Sequence, residues 1–395
     1  MEVYILDALF RRTHVIDQYI SLIWTERFNT YGDFQLDIYS DYQTRSLLTP
    51  DTYLAMSSSN YIMRIESFED DVDSKGERIL IVKGRSMEAV LLDRVAKDST
   101  STLTVSPTWN ITDTPATIAR KIFHDICVTG ILNVGDVIPG IVEGILPSVS
   151  PSTIPEPVDP ITVKLKPTTV YDAIAIQICS AWELGMRFLR NDNTGQIYFD
   201  IYAGDDRTSG QVTLTPVIFS AALDNLQNTK ELTTIDKSKN VAYVFSPDGF
   251  EMVYPYSVDP TVEGFERRVL VVNANDVTTT STTDVPGTLI QRGNEALAAA
   301  RTSQLFDGEV SPNSQYVYGK DYNLGDLVEM QNIDGVANTM RVTEQIFVND
   351  QQGPKSYPTL ATNVFINTGS WLSWLNNKQW FDLDTDTTSV WSNQP

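Results

Sequence analysis

The run IYFDIY at residues 197–202 lies near the middle of the chain. Its first, third and fifth residues are strongly apolar, and a period of two places them on one face of a β-strand. The residues that follow, GDDRTSG at 204–210, combine Gly, Asp and Ser, which favour turns. Two further β-rich runs follow at 212–219 and 240–245. This stretch predicts a sheet where the two halves of the chain meet.

Toward the N-terminus, residues before 97 are also β-rich. Apolar residues alternate at 19–24 and 34–38, and a Gly-containing turn separates the runs 62–68 and 78–83. The segment GRSMEAVLLDRV at 84–95 changes to helical spacing. We predict an antiparallel sheet closed by one short helix.

The next part combines helices with a hairpin. Pro115 follows an Asp-Thr pair and begins a predicted helix that ends near Gly130. A second helix is predicted over Val170–Met186, and residues 188–202 read as a hairpin. The Pro-, Gly- and Ser-rich stretch 137–167 predicts an extended surface loop.

Beyond residue 240, β-structure is interrupted by a helix. Two strands are predicted on either side of the turn at 247–249, and an Ala-rich helix is predicted over Gly287–Leu305. Strands are predicted again at 326–330 and 341–348. We interpret the helix as an insertion within a β-domain.

Several passages, in this order along most of the chain, resemble the hub (tail-associated) proteins at the tail tip of long-tailed bacteriophages. They are WTERFNTYGDFQL at 24–36, VKGRSMEAVLLDR at 82–94, the GDDRT turn at 204–208 with IFSAALDNLQN at 218–228 and NVAYVFS at 240–246, DYNLGDLVEM at 321–330 and MRVTEQ at 340–345. None of them is a catalytic signature.

The resemblance implies an α+β fold that is mainly β, with two β-barrel-like domains related to the tail tube. We divide the chain accordingly into a first β-barrel-like domain (1–96), an α+β domain with the Pro-rich loop (97–204), a second β-barrel-like domain (205–258 and 321–369), a helical insertion (259–320) and a Trp-rich C-terminal arm (370–395).

The resemblance also implies a function, namely that of a structural baseplate hub in the virion tail tip, assembled in the host cytoplasm. Such a hub is a homotrimer that closes the tail tube. It joins the distal tail protein and tail tube to the central fibre or spike, the receptor-binding proteins and the tape measure protein. Hubs of this kind serve host attachment and DNA ejection as structural minor tail proteins.

The overall charge fits such a role. The formal net charge is −22, which disfavours direct binding to nucleic acid or to anionic lipid and suits a conduit through which DNA slides. Acidity that merely keeps the protein soluble explains the charge equally well. The N-terminus lacks the features of a signal peptide, and no apolar run is long enough to span a bilayer.

The sequence offers little for catalysis, and we predict no catalytic, cofactor-binding or metal-binding residues. Carboxylate clusters at 70–71, 205–206 and 382–386 lie in turn-like contexts, and the last departs from a calcium loop at both diagnostic positions. Cys127 and Cys179 lie in apolar patterns typical of buried residues, although His124 and Cys127 are close enough on a helix to touch. We therefore expect no enzymatic activity.

The C-terminal stretch holds four of the seven tryptophans: Trp371, Trp374, Trp380 and Trp391. Their spacing follows neither a helical nor a strand period, and large aromatic residues are enriched in the centres of interfaces. The hypothesis is that they contact a partner. The alternative is that they fold back on the domains of the same chain.

Two other classes of function stay open from sequence alone. A polysaccharide-degrading enzyme would bring tryptophans and carboxylates together in one cleft. A carbohydrate-binding tail protein that contacts the host cell surface would expose aromatic residues without an acid–base pair.

Overall fold

The protein is represented by a computed structural model that describes residues 1–72, 76–98, 108–234, 238–254, 263–279, 285–300, 303–310, 316–331 and 337–362. Its N-terminal part is an antiparallel meander. The elements are β1 (Val3–Leu6), β2 (Arg12–Ile16), β3 (Ser21–Arg27), β4 (Asp33–Tyr39), α1 (Tyr42–Leu47), β5 (Tyr53–Met56), β6 (Ile62–Val72), β7 (Arg78–Ser86), a 3₁₀ helix (Met87–Asp93) and β8 (Val95–Ala96).

The alternating pattern of this part determines which side chains are buried. In β4, Phe34, Leu36 and Ile38 all point into the core, as a period of two requires. The predicted hairpin is confirmed, because β6 and β7 pair antiparallel. The predicted short helix is present as the 3₁₀ helix, with Met87 and Leu91 buried.

The middle part packs helices against a small sheet. Its elements are β9 (Trp109–Asp113), α2 (Pro115–Phe123), a π-helical turn (His124–Thr129), a 3₁₀ turn (Val134–Asp136), β10 (Ile141–Glu143), β11 (Ile161–Leu165), β12 (Thr168–Thr169), a π-helix (Asp172–Cys179), α3 (Ser180–Trp182), β13 (Gly185–Arg190) and β14 (Ile197–Tyr202). The first predicted helix is confirmed, from Pro115 to the left-handed residue Gly130.

Two predictions for this part need correction. The second helix ends at Trp182 rather than at Met186, because Glu183 adopts a left-handed conformation and the next residues pair as β13 with β14. The stretch 137–167 is not a loop throughout, since it contains β10 and β11. In β11 the alternation of Val163 and Leu165 buries one face against the core, which makes it a strand despite the neighbouring prolines.

The C-terminal part returns to β-structure. Its elements are β15 (Ile218–Ser220), a 3₁₀ turn (Ala221–Leu223), β16 (Leu226–Thr234), β17 (Val241–Ser246), β18 (Gly249–Val253), a 3₁₀ turn (Gly264–Glu266), β19 (Val269–Asn273), α4 (Val285–Ala299), β20 (Ser303–Val310), β21 (Leu327–Gln331), β22 (Ala337–Asp350) and β23 (Gly353–Thr362). The strand predicted at 212–219 is observed only over Ile218–Ser220. The helix predicted over Gly287–Leu305 ends at Ala299, because β20 begins four residues later.

One large sheet contains strands from both the N-terminal and the C-terminal part of the chain. Its strand order is β16-β20-β23-β22-β3-β4-β7-β6-β5-β1-β2, and β21 and β15 extend it beside β22. The N- and C-terminal strands meet where β3 pairs antiparallel with β22, with Trp24 opposite Phe347. The fold is mainly β, as predicted, but no closed barrel is formed within the described ranges, since β3 continues the first set of strands directly into the second.

A second, smaller sheet has the strand order β18-β17-β19 and is called here the inserted sheet. The prediction assigned β17 and β18 to the second β-barrel-like domain, but both pair within the inserted sheet and not with the large one. Helix α4 packs on one face of this sheet, where Ala242, Val244 and Leu289 share a core. At its base, the backbone N–H of Lys239 donates to the carbonyl of Ala300.

Candidate functional site

The passages that carry the family resemblance are far apart in sequence but meet in the structure. Five of their residues define what we call the motif junction: Glu26, Phe28, Glu88, Asp326 and Arg341. All five are nearly or fully buried. The motif junction lies where the N-terminal strands, the middle part and the C-terminal strands contact one another.

Phe28 links all three parts by itself. Its backbone N–H donates to the carbonyl of Thr343 at 2.9 Å, and its own carbonyl accepts from Met186 N–H at 3.1 Å. Its ring packs edge-on against Tyr202, with centroids 5.3 Å apart. The ring also lies against Gly185, where a Cβ atom would come within 2.4 Å of it. Only glycine therefore fits opposite this ring.

The GDDRT turn docks on the NLGD turn through Asp326. One carboxylate oxygen of Asp326 accepts from the backbone N–H of Asp205 at 2.9 Å, and the other accepts from Arg207 Nε at 3.1 Å. Burial raises the pKa of Asp326 to about 6. The turns also approach closely at Gly204 and Gly325, both of which have φ of +87°. The two motifs thus form one interlocked contact.

Arg341 connects the contact between the GDDRT and NLGD turns to β22. Its side chain donates to the carbonyl of Ala203 at 2.7 Å and to the carbonyl of Gly325. A second guanidinium nitrogen lies 3.6 Å from the carboxylate of Glu183. The guanidinium carbon sits 5.0 Å from the ring centroid of Phe28. The buried cation is thus paired with one carboxylate and hydrogen-bonded to two backbone carbonyls.

Glu26 is a fully buried carboxyl group of the motif junction. It accepts hydrogen bonds from Ser59, from Tyr318 Oη at 2.7 Å and from Trp24 Nε1 at 3.2 Å. Burial raises the pKa of Glu26 to about 7, although the three donors oppose the shift by stabilising the ionised form. The side chain connects β3 to Tyr318, which lies before β21 and 292 residues further along the chain.

Glu88 makes the equivalent link to the middle part. It is fully buried and accepts from the backbone N–H of Phe188 at 2.7 Å. Burial raises its pKa to about 7 as well, while the hydrogen bonds from Ser86 and Phe188 act in the opposite direction. Two carboxyl groups of the motif junction therefore titrate near neutral pH.

A cavity of about 550 Å³ opens beside the motif junction. Residues from all three parts line it, among them Glu26, Tyr61, Arg187, Tyr202, Lys320 and Asp326. Arg187 pairs with Asp200 at 2.9 Å and stacks 3.8 Å above the ring of Tyr202. The lining carries charges of both signs, so it suits polar groups rather than an apolar ligand.

The motif junction is built from passages spread over most of the chain, and a family model matches nearly the same span. The model of the Siphovirus ReqiPepy6 Gp37-like protein family matches residues 2–360. The chain belongs to this family. The resemblance to siphovirus tail proteins noted in the sequence is confirmed. No curated protein is recognisably similar in sequence.

Solved structures share the fold of this family member at low sequence identity. The tail protein from Neisseria meningitidis MC58 is 14% identical with a TM-score of 0.55, covering 92% of this chain and 96% of that one. The 43 kDa tail protein of prophage MuSo2 from Shewanella oneidensis is 14% identical with a TM-score of 0.54, covering 92% and 98%. Prophage tail protein gp18 from Listeria monocytogenes EGD-e is 10% identical with a TM-score of 0.50, covering 95% and 98%. This chain therefore shares the fold of these three tail proteins.

The two cysteines of this family member are poor nucleophiles. Both are buried, and burial raises the pKa of Cys127 to about 12 and that of Cys179 further. His124 does not contact Cys127 through a hydrogen bond. Its ring nitrogens lie 2.7 Å from Glu143 Oε2 and 3.2 Å from Thr129 Oγ1, on an exposed surface. The possible His–Cys pair is therefore not formed.

The carboxylate clusters have structural roles where the structure describes them. Asp70 pairs with Arg45 and Arg78 on the surface of β6. Asp205 accepts from Thr153 N–H, and Asp206 accepts from Thr208 N–H within its own turn. The third cluster at 382–386 and the predicted interface tryptophans Trp371, Trp374, Trp380 and Trp391 lie outside the described residues.

Two further kinds of feature are absent from the described ranges. No group of three or more His, Cys, Asp or Glu side chains is arranged there to hold a metal ion. Among the described helices, none is both long and apolar enough to cross a bilayer.

The quoted sequence passages contain the residues of the motif junction, but the sequence did not predict the roles of these residues. A charged residue inside an apolar strand pattern, such as Glu26 beside Trp24 or Arg341 beside Met340, was the available signal. Such residues are rarely buried unless they are paired. The partners of these charged residues come from other parts of the chain, so the local sequence pattern cannot identify those partners.

The titration of Glu26 predicts a pH-dependent stability. Its pKa is raised from 4.5 to about 7, so its contribution is fully present below pH 4.5 and is lost as the pH rises through 7. Replacement by Gln keeps a neutral group of the same shape. We expect Glu26→Gln to be more stable than the natural chain at pH 8, by on the order of 3 kcal/mol. The free energy of unfolding from denaturant titrations at pH 4.5 and pH 8 measures this.

Glu69→Gln is the matched control, because Glu69 is an exposed residue of β6. We expect the control to behave as the natural chain at both pH values. If Glu26→Gln and Glu69→Gln changed stability equally at pH 8, burial would not govern the titration of Glu26.

Proposed function

We propose that this chain is the structural baseplate hub at the tail tip of a long-tailed phage, where it forms a homotrimer around the tail axis. In this role it closes the tail tube and joins the distal tail protein to the central spike or fibre. The observation that carries the proposal is the motif junction. The motif junction holds the N-terminal strands, the middle part and the C-terminal strands in contact with one another.

The strand order supports a ring. The large sheet ends at β2 on one side and at β16 on the other, and neither pairs with a further described strand at its outer edge. Edge strands present unpaired N–H and carbonyl groups that can pair with another chain. A head-to-tail contact between different surfaces generates a closed ring when the rotation between copies closes. We propose that the two sets of strands act as the two β-barrel-like domains of each subunit in that ring.

The charge of the chain supports a place on the path of the DNA. A net charge of −22 repels phosphate, so a bore lined by this protein would let DNA slide during ejection without binding it. The tail tube and the distal tail protein lie on one side of such a ring. The tape measure protein, the central fibre and the receptor-binding proteins that serve host attachment lie at its centre and tip, and the complex assembles in the host cytoplasm.

The trimer is directly measurable. We expect native mass spectrometry of tail tips released from virions to give three copies of this chain per particle. Imaging of the intact tail at side-chain resolution should then place the chain in a ring on the tail axis. A stable dimer or hexamer in the virion, or density for this chain on peripheral fibres, would refute the hub role.

We also propose that the chain has no enzymatic activity. The buried thiols and the hydrogen-bonded carboxylates support this, since neither is presented as a nucleophile or as an acid–base pair. The purified chain should release no sugar or peptide from host cell-wall polysaccharide or peptidoglycan. Turnover that Asp206→Ala abolishes would show that the proposal is wrong.

A carbohydrate-binding tail protein that contacts the host surface is the second candidate. Exposed aromatic residues on the inserted sheet, Phe245 and Phe250, favour it, because sugar rings stack on aromatic side chains. Binding of purified host-wall glycans to the chain, lost on Phe250→Ala, would support this candidate over a purely structural role.

A further inference from the structure

The cavity beside the motif junction is assembled from three loops that belong to different parts of the chain. The first loop is the β5–β6 turn at 57–60, the second follows β10 at 148–152, and the third precedes β21 at 318–323. The cavity measures about 550 Å³, within the range of roughly 300–1,000 Å³ that is typical of small-molecule sites. No single loop forms the cavity, so it exists only in the folded chain.

Each of the three loops is held in place by a hydroxyl group. Ser59 donates a hydrogen bond to Glu26, and Tyr318 Oη donates to the same carboxyl group at 2.7 Å. In the second loop, Ser152 Oγ accepts from the backbone N–H of Gly204 at 3.0 Å. The lining is thus preformed, and a ligand would not have to order these loops when it binds.

The buried charged side chains of the lining are paired or hydrogen-bonded within the chain. Arg187 lies 2.9 Å from Asp200, and Asp326 accepts from Arg207 at 3.1 Å. Glu26 accepts hydrogen bonds from three donors. A charged ligand would therefore lose its hydration without gaining an uncompensated partner in the buried lining. The cavity favours a neutral ligand.

Several polar side chains of the lining have no hydrogen-bond partner within the described part of the chain. They are three hydroxyl groups and two amides, which belong to Ser58, Ser148, Ser150, Asn60 and Asn323. Hydroxyl groups and amides both donate and accept hydrogen bonds. Lys320 also lines the cavity, but it is exposed, so water screens its charge. The lining therefore matches a ligand that is rich in hydroxyl groups.

Part of the lining is apolar. Tyr61, Leu189 and Leu324 line the cavity and belong to one buried cluster that includes residues of β21 and β22. A sugar ring presents hydroxyl groups at its edges and C–H groups on its faces, so it can contact both kinds of surface. A purely apolar ligand would leave the polar groups unpaired, at a cost in binding free energy.

We propose that this cavity binds a neutral saccharide of about disaccharide size. The free serine hydroxyl groups and asparagine amides form hydrogen bonds with the sugar hydroxyl groups, and the apolar residues contact the ring faces. The proposal goes beyond the hub role and does not depend on it. It also differs from the second candidate function, because the sugar lies in the cavity and not on the aromatic residues of the inserted sheet.

Calorimetric titration of the full chain with neutral disaccharides tests the proposal. The probes are cellobiose, maltose, lactose and N,N′-diacetylchitobiose, and we expect at least one of them to bind. Ser150→Trp should weaken this binding by at least about tenfold, because the indole occupies space in the cavity. Asn323→Ala should weaken it by about three- to tenfold, because it removes an amide that bonds to the sugar.

Ser46→Trp is the matched control, because Ser46 is an exposed serine of α1 that does not line the cavity. This variant should bind the disaccharide with the affinity of the natural chain. Circular dichroism and Tm should show that all three variants are folded, so that a loss of affinity reports on the cavity.

A cysteine reporter locates the bound sugar. In the full chain, Ser58→Cys places a thiol in the lining, whereas Cys127 and Cys179 are buried and react slowly. A disaccharide at about ten times its Kd should slow maleimide modification of this thiol about tenfold. Val212→Cys should react at the same rate with and without the sugar, because Val212 is fully exposed and does not line the cavity.

Three results would overturn the saccharide site. The first is that none of the four disaccharides binds, which would mean that the cavity holds only water. The second is binding that Ser150→Trp leaves unchanged. The third is binding that Phe250→Ala abolishes, which would place the sugar on the inserted sheet. The subunit count of the virion tail tip tests the hub role separately.

Discussion

Arg341→Ala is expected to destabilise the protein by about 4 kcal/mol. The guanidinium is buried and donates to the carbonyls of Ala203 and Gly325. Truncation leaves both carbonyls without this donor and leaves the carboxylate of Glu183 without its nearby cation. Removing one partner of a buried charged group typically costs about 3–5 kcal/mol. The difference in free energy of unfolding by guanidinium denaturation measures this effect.

Arg45→Ala is the matched control for this prediction. Arg45 pairs with Asp70 at 2.8 Å, but it is half-exposed on the surface. Exposed ion pairs contribute about 0–1 kcal/mol, so the control should change stability by no more than that. A loss below about 1 kcal/mol for Arg341→Ala would mean that the motif junction tolerates the loss of this buried cation and that Arg341 does not hold the parts together.

Gly204→Ala is the second substitution with a large expected effect. A Cβ atom on Gly204 would lie 2.2 Å from the carbonyl oxygen of Gly325, and φ at this position is +87°. Backbone atoms cannot move aside as a flexible side chain can, so the two turns must separate. Overpacking and left-handed strain together should cost roughly 4 kcal/mol and disturb the hydrogen bonds of Asp326. Denaturation and hydrogen exchange at Asp205 N–H provide the measurements.

Gly140→Ala distinguishes the cost of the left-handed conformation from the cost of the steric clash. Gly140 has a φ of +78°, similar to that of Gly204, but nothing lies within 4 Å of a Cβ atom there. It should therefore show only the cost of the left-handed conformation, about 1 kcal/mol. If Gly204→Ala and Gly140→Ala cost the same, close approach of the two motifs would not be the reason for glycine at 204.

The elements that sequence predicted well are those whose signals are local. The β6–β7 hairpin follows from two β-rich runs around a Gly-containing turn, and α2 follows from Pro115 at its start and Gly130 at its end. Boundaries failed where a tertiary contact intervened. The helix predicted to reach Met186 stops at Trp182, because the following residues gain more from pairing with β14 than from another helical turn.

The sequence by itself determined the mainly β class, most of the strands and the family, since strand periods, turn residues and ordered motifs are properties of short stretches. Only the tertiary structure decided that β3 pairs with β22 and that the inserted sheet takes β17 and β18 out of the second set of strands. It also decided that Glu26, Asp326 and Arg341 meet in the motif junction. Contacts between residues hundreds of positions apart depend on the burial of whole surfaces, and no local pattern encodes that burial.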